Sequence, residues 1–418
     1  MSLESWRKRP YHRQWLRDQA NGLFSFFQNR SFNPAGGFFD LDVTGRPIAT
    51  DNPVRGIPGT ARMVHCFAIG SLLGRPGSDP IVDHGMQFLW NRHRDRDHGG
   101  YFWTVDDNGP SDSRKQGYGH AFVLLAASSA RLVGHPLADR MLADVTEILE
   151  TKFWEEGSGA IAEEFNADWS PIAPYRGQNS NMHLTEALMA AFEATGERHY
   201  LDKAERIADL IIRRRAAENG YRVAEHFDDE WQLDKSYRGD QMFRPPGTTP
   251  GHWLEWSRLI LQLWSLGGER IDWMPAAAEA LFAQAVAIGW DETRGGFFYN
   301  LDWNDSPDLP LKLWWPAAEG AGAAAFLCDH RPSAFHEQWY RNIWDVIARH
   351  FIDDDRGGWH EELDEEMRPS HTLFAGKADI YHALQACLIP LYPSTGSLTR
   401  ALVNELDARA PGMPQHPQ

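Results

Sequence analysis

Cysteine is nearly absent: Cys66, Cys328 and Cys387 are the only three in 418 residues. Thiols so few, so far apart and odd in number make neither a disulfide framework nor a four-cysteine zinc site. They fit a reducing compartment, each as a small core hydrophobe. Positive charge is also short. Lys and Arg number 41 against 58 Asp and Glu, a formal net charge of −17, which argues against nucleic-acid and anionic-membrane partners. No apolar run approaches the roughly 18 residues of a membrane span, and the N-terminal MSLESWRKRPYHRQW lacks the apolar core of a signal peptide. A cytoplasmic globular protein is expected. There is no Gly-x-Gly-x-x-Gly turn, Walker sequence, His-Glu-x-x-His helix or EF-hand loop, so no metal and no other cofactor is expected.

Tryptophan, by contrast, is abundant at 18 residues; it fills cores and stacks on ligands such as sugars. Glycine recurs in pattern. Gly36-Gly37-Phe38, Gly99-Gly100-Tyr101, Gly295-Gly296-Phe297 and Gly357-Gly358-Trp359 are close copies, with Gly157-Ser158-Gly159 and Asn219-Gly220-Tyr221 as weaker ones. The second glycines fall at 37, 100, 159, 220, 296 and 358, at intervals of 63, 59, 61, 76 and 62. Each reads as a polar turn entering a short strand or hairpin. Between the turns, segments 121–133, 184–194, 254–266 and 378–389 are nearly apolar at helical spacing, whereas 139–149, 200–213, 274–288 and 336–350 are two-faced. Two helices per unit, one nearly apolar and the other two-faced, are best buried as an inner ring inside an outer ring. The expectation is an all-α (α/α)6 toroid with short β-hairpins at one end. It would form one catalytic domain over residues 1–393, followed at 394–418 by a C-terminal helix or frayed Pro-rich tail. An open solenoid of the tetratricopeptide kind has units nearer about 34 residues and no Gly-Gly turns.

Polar residues recur in phase at the starts of the inner segments: Arg62, His120, His183, His252, Glu319 and His382, at intervals of 58, 63, 69, 67 and 63. Any one alone reads as a satisfied structural residue. Six at one end of an apolar ring read as a polar funnel, because such groups are costly unless they face a cavity. Arg62 with His65, His183 with Glu186, His252 with Glu255 and His382 with Gln385 are i, i+3 pairs that share a helix face. The loops ahead of them supply Asn179, Arg244 and an aromatic platform at Trp315. The run His226-Phe227-Asp228-Asp229-Glu230-Trp231 reads as loop-anchoring rather than substrate-lining. A cluster of imidazoles with few isolated carboxylates suits proton transfer near neutral pH.

Four segments carry a family resemblance. Residues 179–187 (Asn-Ser-Asn-Met-His-Leu-Thr-Glu-Ala), 249–256 (Thr-Pro-Gly-His-Trp-Leu-Glu-Trp), Lys312-Leu313-Trp314-Trp315-Pro316 with Glu319, and 379–386 (Asp-Ile-Tyr-His-Ala-Leu-Gln-Ala) together resemble the N-acylglucosamine 2-epimerase superfamily. The likeness spans nearly the whole chain in order. Gly-His-Trp-Leu-Glu-Trp is similar to the branch of aldose-ketose isomerases acting on mannose or sulfoquinovose. The resemblance implies an (α/α)6 barrel, no metal or redox cofactor, and two catalytic histidines working through a cis-enediol. His382 would move the proton between C2 and C1, and His252 would assist ring opening and act as the opposing acid or base. Arg62, Asn179, His183, Glu255, Trp315 and Glu319 match lining positions, with His120 and Arg244 as further substrate-binding candidates. Arg55, Arg62 and Arg244 would hold either a sulfonate or a hydroxyl.

The expected activity is thus aldose-ketose isomerisation, mannose to fructose foremost, by a monomer or homodimer whose partner is a monosaccharide. A sugar 2-epimerase is the near alternative. An inverting glycosidase would need two carboxyls about 6.5–9.5 Å apart, for which Asp228, Asp229, Glu255 and Glu319 are candidates. A sugar-binding protein without catalysis is the third reading.

Overall fold

The computed structural model describes residues 5–377 and 379–409. The helices are α1 (Pro10–Arg30), α2 (Ile57–Leu72), α3 (Ser78–Phe88), α4 (Gly117–Leu132), α5 (Ala138–Ile148), α6 (Gln178–Thr195), α7 (Arg198–Ala208), α8 (Pro250–Leu266), α9 (Trp273–Ile288), α10 (Trp314–His330), α11 (Ala334–Val346), α12 (Ile380–Leu388) and α13 (Leu398–Arg409). The even-numbered helices up to α12 form the inner ring, closed by α12 against α2; α1, α3, α5, α7, α9 and α11 form the outer one. This is the (α/α)6 ring expected from the glycine repeat. Burial follows the two patterns. Every residue of α4 from 119 to 130 is buried, whereas α5 buries only Ala138, Met141, Leu142 and Val145, one stripe at helical period.

The inner helices begin several residues earlier than the apolar pattern suggests, at 117, 178 and 250 rather than 121, 184 and 254. Their first turns carry glycines and polar side chains, which break the hydrophobic period. Ala378, where the last inner segment was expected to start, lies outside the described residues. In the C-terminal region, α13 packs across α2 and α4, and the backbone N–H of Ser397 ahead of it donates to Glu193 at 3.0 Å. Residues 410–418 of the expected tail lie outside the described residues. Among the described residues no helix is long and apolar enough to cross a membrane.

Short antiparallel strands make a collar at the N-terminal ends of the inner helices. The residues entering each inner helix pair with the hairpin of the next unit: Arg55–Gly56 with Thr104–Val105, Lys115–Gln116 with Glu164–Phe165, Tyr175–Gly177 with His226–Asp228, and Lys312–Leu313 with Glu362–Leu363. Single bridges from Thr248 to Leu301 and from Asp42 to Gly376 complete the circle. Each hairpin turns on its second glycine, whose φ runs from +65° at Gly220 to +82° at Gly296, a region L side chains avoid.

Three units share a clasp that the turn sequences only hint at. Asp95, Asp291 and Asp353 open Asp-x-x-x-Gly-Gly turns, and each caps its turn by accepting backbone N–H groups two and three residues on. The other carboxylate oxygen meets a buried lysine just ahead of the next inner helix: Lys115 at 2.7 Å, Lys312 at 2.9 Å, and Lys377. The lysine ties the end of an outer helix to the start of the following inner one. Lys115→Met leaves the Asp95 charge buried and unpaired, and is expected to cost about 3–5 kcal/mol of stability. A guanidinium unfolding midpoint equal to that of the wild type would show the clasp to be dispensable.

The longest repeat interval, 76 residues, is accounted for by an insertion between Asp229 and Thr249. It folds over the collar, where Tyr237 stacks on His226 at 4.1 Å and on Tyr175 at 4.8 Å. His226 fastens it, with Nδ1 against the Tyr175 hydroxyl at 2.9 Å and Nε2 donating to the Pro245 carbonyl at 2.8 Å.

Candidate active site

Inside the collar lie an inner chamber of about 80 Å³ and a wider outer one of about 350 Å³, with Tyr118, Asn179 and Phe243 lining both. Arg62, Asn179, His183, His252, Glu255, Trp315 and His382 line the inner one. Helix geometry puts them in two tiers. Tyr118, Asn179, His252, Trp315 and His382 lie in the first turns of α4, α6, α8, α10 and α12. One turn deeper are Arg62, His183 and Glu255.

Both histidines are held the same way. Nδ1 of His252 faces Glu225 at 2.9 and 3.0 Å, and Nδ1 of His382 faces Glu319 at 2.8 Å. In each, Nδ1–H donates to a buried carboxylate, which leaves Nε2 of a cavity-lining ring as the nitrogen without a protein partner among the described residues. Trp315 lies between them, its ring 4.8 Å from His252 and 6.0 Å from His382, centroid to centroid. Its slot is tight: a Cβ on Gly251 would meet the Trp315 ring at 2.4 Å and Pro316 at 2.9 Å. Gly251→Ala is therefore expected to displace the indole, costing about 1–3 kcal/mol of stability and raising KM; an unaltered KM would show that the indole does not position substrate.

The partners of the two carboxylates differ. Glu225 also accepts Nε2–H of Gln178 at 2.8 Å, whose carbonyl accepts the indole N–H of Trp256 at 2.8 Å. Burial pushes Glu225 up, but the His252 charge and these hydrogen bonds outweigh it and hold the carboxyl below its ordinary range. Glu319 also binds Nε and Nη2 of Arg258 at 3.1 and 3.0 Å. Burial opposes its ionisation too, and the Arg258 and His382 charges again win, leaving Glu319 low. Glu255 is the reverse. Burial and the neighbouring Glu319 push it well above the carboxylate range, so it holds a proton. His183 is depressed by burial and then by the charges of Arg62, His382 and His252, so its ring is neutral.

Arg62 pairs with Asp379 at 2.5 Å and donates to the Tyr118 hydroxyl at 2.8 Å. Asn179 Oδ1, His183 Nδ1 and both Glu255 oxygens are buried without a protein hydrogen-bond partner. Buried polar atoms are rarely left unpaired, and so many around one chamber suit a ligand rich in hydroxyls. His183, Glu186 and Glu255, and likewise Glu255, Glu319 and His382, bring one ligand atom each within 4.8 Å of one another. The guanidinium of Arg258 sits against all three of these carboxylates, at 3.0, 3.6 and 3.8 Å, and places one positive charge among them.

Several expected positions fall elsewhere. His120 turns away from the chamber: Nε2 accepts the Tyr101 N–H at 3.0 Å, Nδ1 donates to the Gln116 carbonyl at 2.7 Å, and the ring packs on Phe153. At about 100° per residue it points nearly opposite to Tyr118 two positions earlier, and Tyr118 is what α4 gives to the site. Glu319 stands behind His382 rather than on the wall. Arg244 lines the outer chamber, engaged by Glu163 and Glu164 at 3.3 Å each. Arg55 pairs with Asp107, so Arg55, Arg62 and Arg244 each have their own carboxylate and form no anion cluster. Asp228 caps its own turn through the N–H groups of Glu230 and Gln232, and neither it nor the exposed Asp229 lines the cavity. Glu225 and Arg258 were not anticipated, and Gln178, expected only as one of the amides in the turn ahead of His183, holds Glu225.

Comparison with known proteins bears directly on this arrangement. The family model of N-acylglucosamine 2-epimerase matches residues 36–386. A D-mannose isomerase of Thermobifida fusca is 41% identical over 95% of this chain and 98% of its own length. One of Pseudomonas cannabina pv. alisalensis is 40% identical over 96% and 98%. A crystal structure of a D-mannose isomerase superposes with a TM-score of 0.85 at 32% identity, covering 93% of this chain and 99% of that one. Fold and relatives together define an enzyme of the isomerase and epimerase class built on an (α/α)6 barrel. The chain belongs to the N-acylglucosamine 2-epimerase family.

Proposed function

We propose that this enzyme interconverts D-mannose and D-fructose through a cis-enediol, with His252 and His382 as the acid-base pair and without metal or other cofactor. The observation that carries the reading is the pair of imidazoles on one chamber wall, each with Nδ1 tied to a buried carboxylate and Nε2 available. The D-mannose isomerase relatives support the substrate. Three free thiols suit a cytoplasmic setting.

His252 passes a proton from the anomeric hydroxyl to the ring oxygen, so the C1–O5 bond breaks and C1 becomes an aldehyde. Nε2 of His382 then takes the proton from C2, and the electron pair forms the C1–C2 double bond as charge develops on O1. Arg62 and the neutral His183 stand ready to hydrogen-bond this oxygen, a stabilisation worth several kcal/mol from preorganised donors. His252, as the opposing acid and base, carries the O2 proton to O1, and His382 returns its proton to C1 as the C2–O2 bond becomes a carbonyl, which gives the ketose. Protonated Glu255 and Asn179 bind hydroxyls, and the face of Trp315 meets the C–H side of the sugar.

Incubation with mannose in deuterium oxide, followed by NMR, tests the proposal. Fructose carrying deuterium at C1 is the expected product. Glucose deuterated at C2 as sole product would instead make the enzyme a 2-epimerase, and binding without any exchange would overturn both.

A further inference from the structure

We propose that Arg258, which does not line the inner chamber, is a positioning residue that fixes the tautomer of His382 through Glu319. This deepens the acid-base reading above and rests on it. Arg258 lies on α8 below His252 and is 2% exposed. It is the cation at the centre of three buried carboxyls, each beside an aromatic ring. Glu319 holds His382 at 2.8 Å, Glu255 lies 3.7 Å from His183, and Glu186 accepts the Tyr381 hydroxyl. One guanidinium cannot fully compensate three anions. Its closest contacts, 3.1 and 3.0 Å, go to Glu319, whereas Glu186 and Glu255 lie at 3.6 and 3.8 Å. The charge is thus directed to the carboxylate that holds His382, and Glu255 stays protonated.

The second dyad is built differently. Glu225 behind His252 has the Gln178 amide where Glu319 has a guanidinium. His382 alone is therefore linked, through one carboxylate, to a permanent charge beneath the chamber floor. If Glu319 were protonated, its hydroxyl would donate to Nδ1, the imidazole proton would move to Nε2, and the lone pair facing the sugar would be gone. The other groups around this cluster set the background: Arg62 and His65 from α2, Tyr118 from α4, His183 from α6 and His252 from α8. Arg62 is committed to Asp379. His65, held down to about 3 by burial and then by Arg258, is neutral. Neither substitutes for Arg258.

Removing the guanidinium takes the nearest positive charge from the hydrogen-bonded Glu319–His382 pair, which as a unit then keeps a proton to higher pH, so the acid limb of kcat/KM should move upward. For full-length Arg258→Met acting on mannose the expected shift is about one pH unit or more, with activity recovering on the alkaline side and Arg258→Lys intermediate. Folded Arg258→Met with an unmoved acid limb overturns the proposal. So does a kcat reduced by one factor at every pH and not regained in Arg258→Lys, which would be a structural effect alone. Should Arg258→Met not fold, the double variant with Glu186→Gln, which removes one buried anion, is read by the same criterion. Nitrogen-15 NMR of the wild-type histidines gives a readout without substitution: neutral His382 is expected as the Nδ1–H tautomer, and an Nε2–H signal would overturn the assignment. Wild-type enzyme that exchanges no deuterium with mannose sinks the proposed function, whereas normal exchange with an unmoved acid limb sinks only the role of Arg258.

Discussion

His382→Ala is expected to lower kcat on mannose by about 10²- to 10⁴-fold, the usual contribution of a positioned acid-base group, while leaving the protein folded. Removing the imidazole opens space at a chamber wall but orphans no charge, because Glu319 keeps its two contacts with Arg258 at 3.1 and 3.0 Å. The loss should therefore appear in kcat and in exchange at C2 rather than in unfolding temperature. Turnover within a few-fold of the wild type would remove His382 from the proton path.

Glu225→Gln is expected to cost about 10²- to 10⁴-fold in kcat through His252, without either residue leaving its place. The carboxylate now accepts from both His252 Nδ1 and Gln178 Nε2. An amide in its place brings a second donor into a pocket built around an acceptor. Facing Nδ1, that donor favours the tautomer with the proton on Nε2, the wrong nitrogen for taking a proton from the anomeric hydroxyl. If ring opening is the step His252 serves, the variant should lose more activity on the closed pyranose than in deuterium exchange from a substrate that cannot cyclise. Equal losses on both would move His252 from ring opening to the enediol step.

The ring was legible because its signals are local and repeated. A positive φ at the second glycine of each hairpin selects glycine whatever the neighbours, so the repeat survives in sequence. The chamber tier was legible where polar residues interrupt an apolar helix, as at His183, His252 and His382. Phase alone misplaced His120, because counting repeats ignores the 100° turn between neighbouring residues. Glu225 gave no signal: it sits just ahead of a short strand, 27 positions from the histidine it orients, and nothing periodic marks it. Arg258 did leave a mark. An arginine in the apolar stretch Trp256-Ser257-Arg258-Leu259-Ile260 is costly unless an anion meets it, and Glu186, Glu255 and Glu319 were all in view.

The closure of the ring bears on how the enzyme is made. His382 belongs to the last inner helix, and the segment just ahead of it bridges to Asp42 in the first unit. A chain that ends before α12 would carry His252, Glu225 and Arg258 but, on the reading proposed above, only one of the two proton carriers. On that reading, a message cut short of codon 382 is expected to yield no isomerase activity, because the bridge from Gly376 to Asp42 and the second imidazole are lost together.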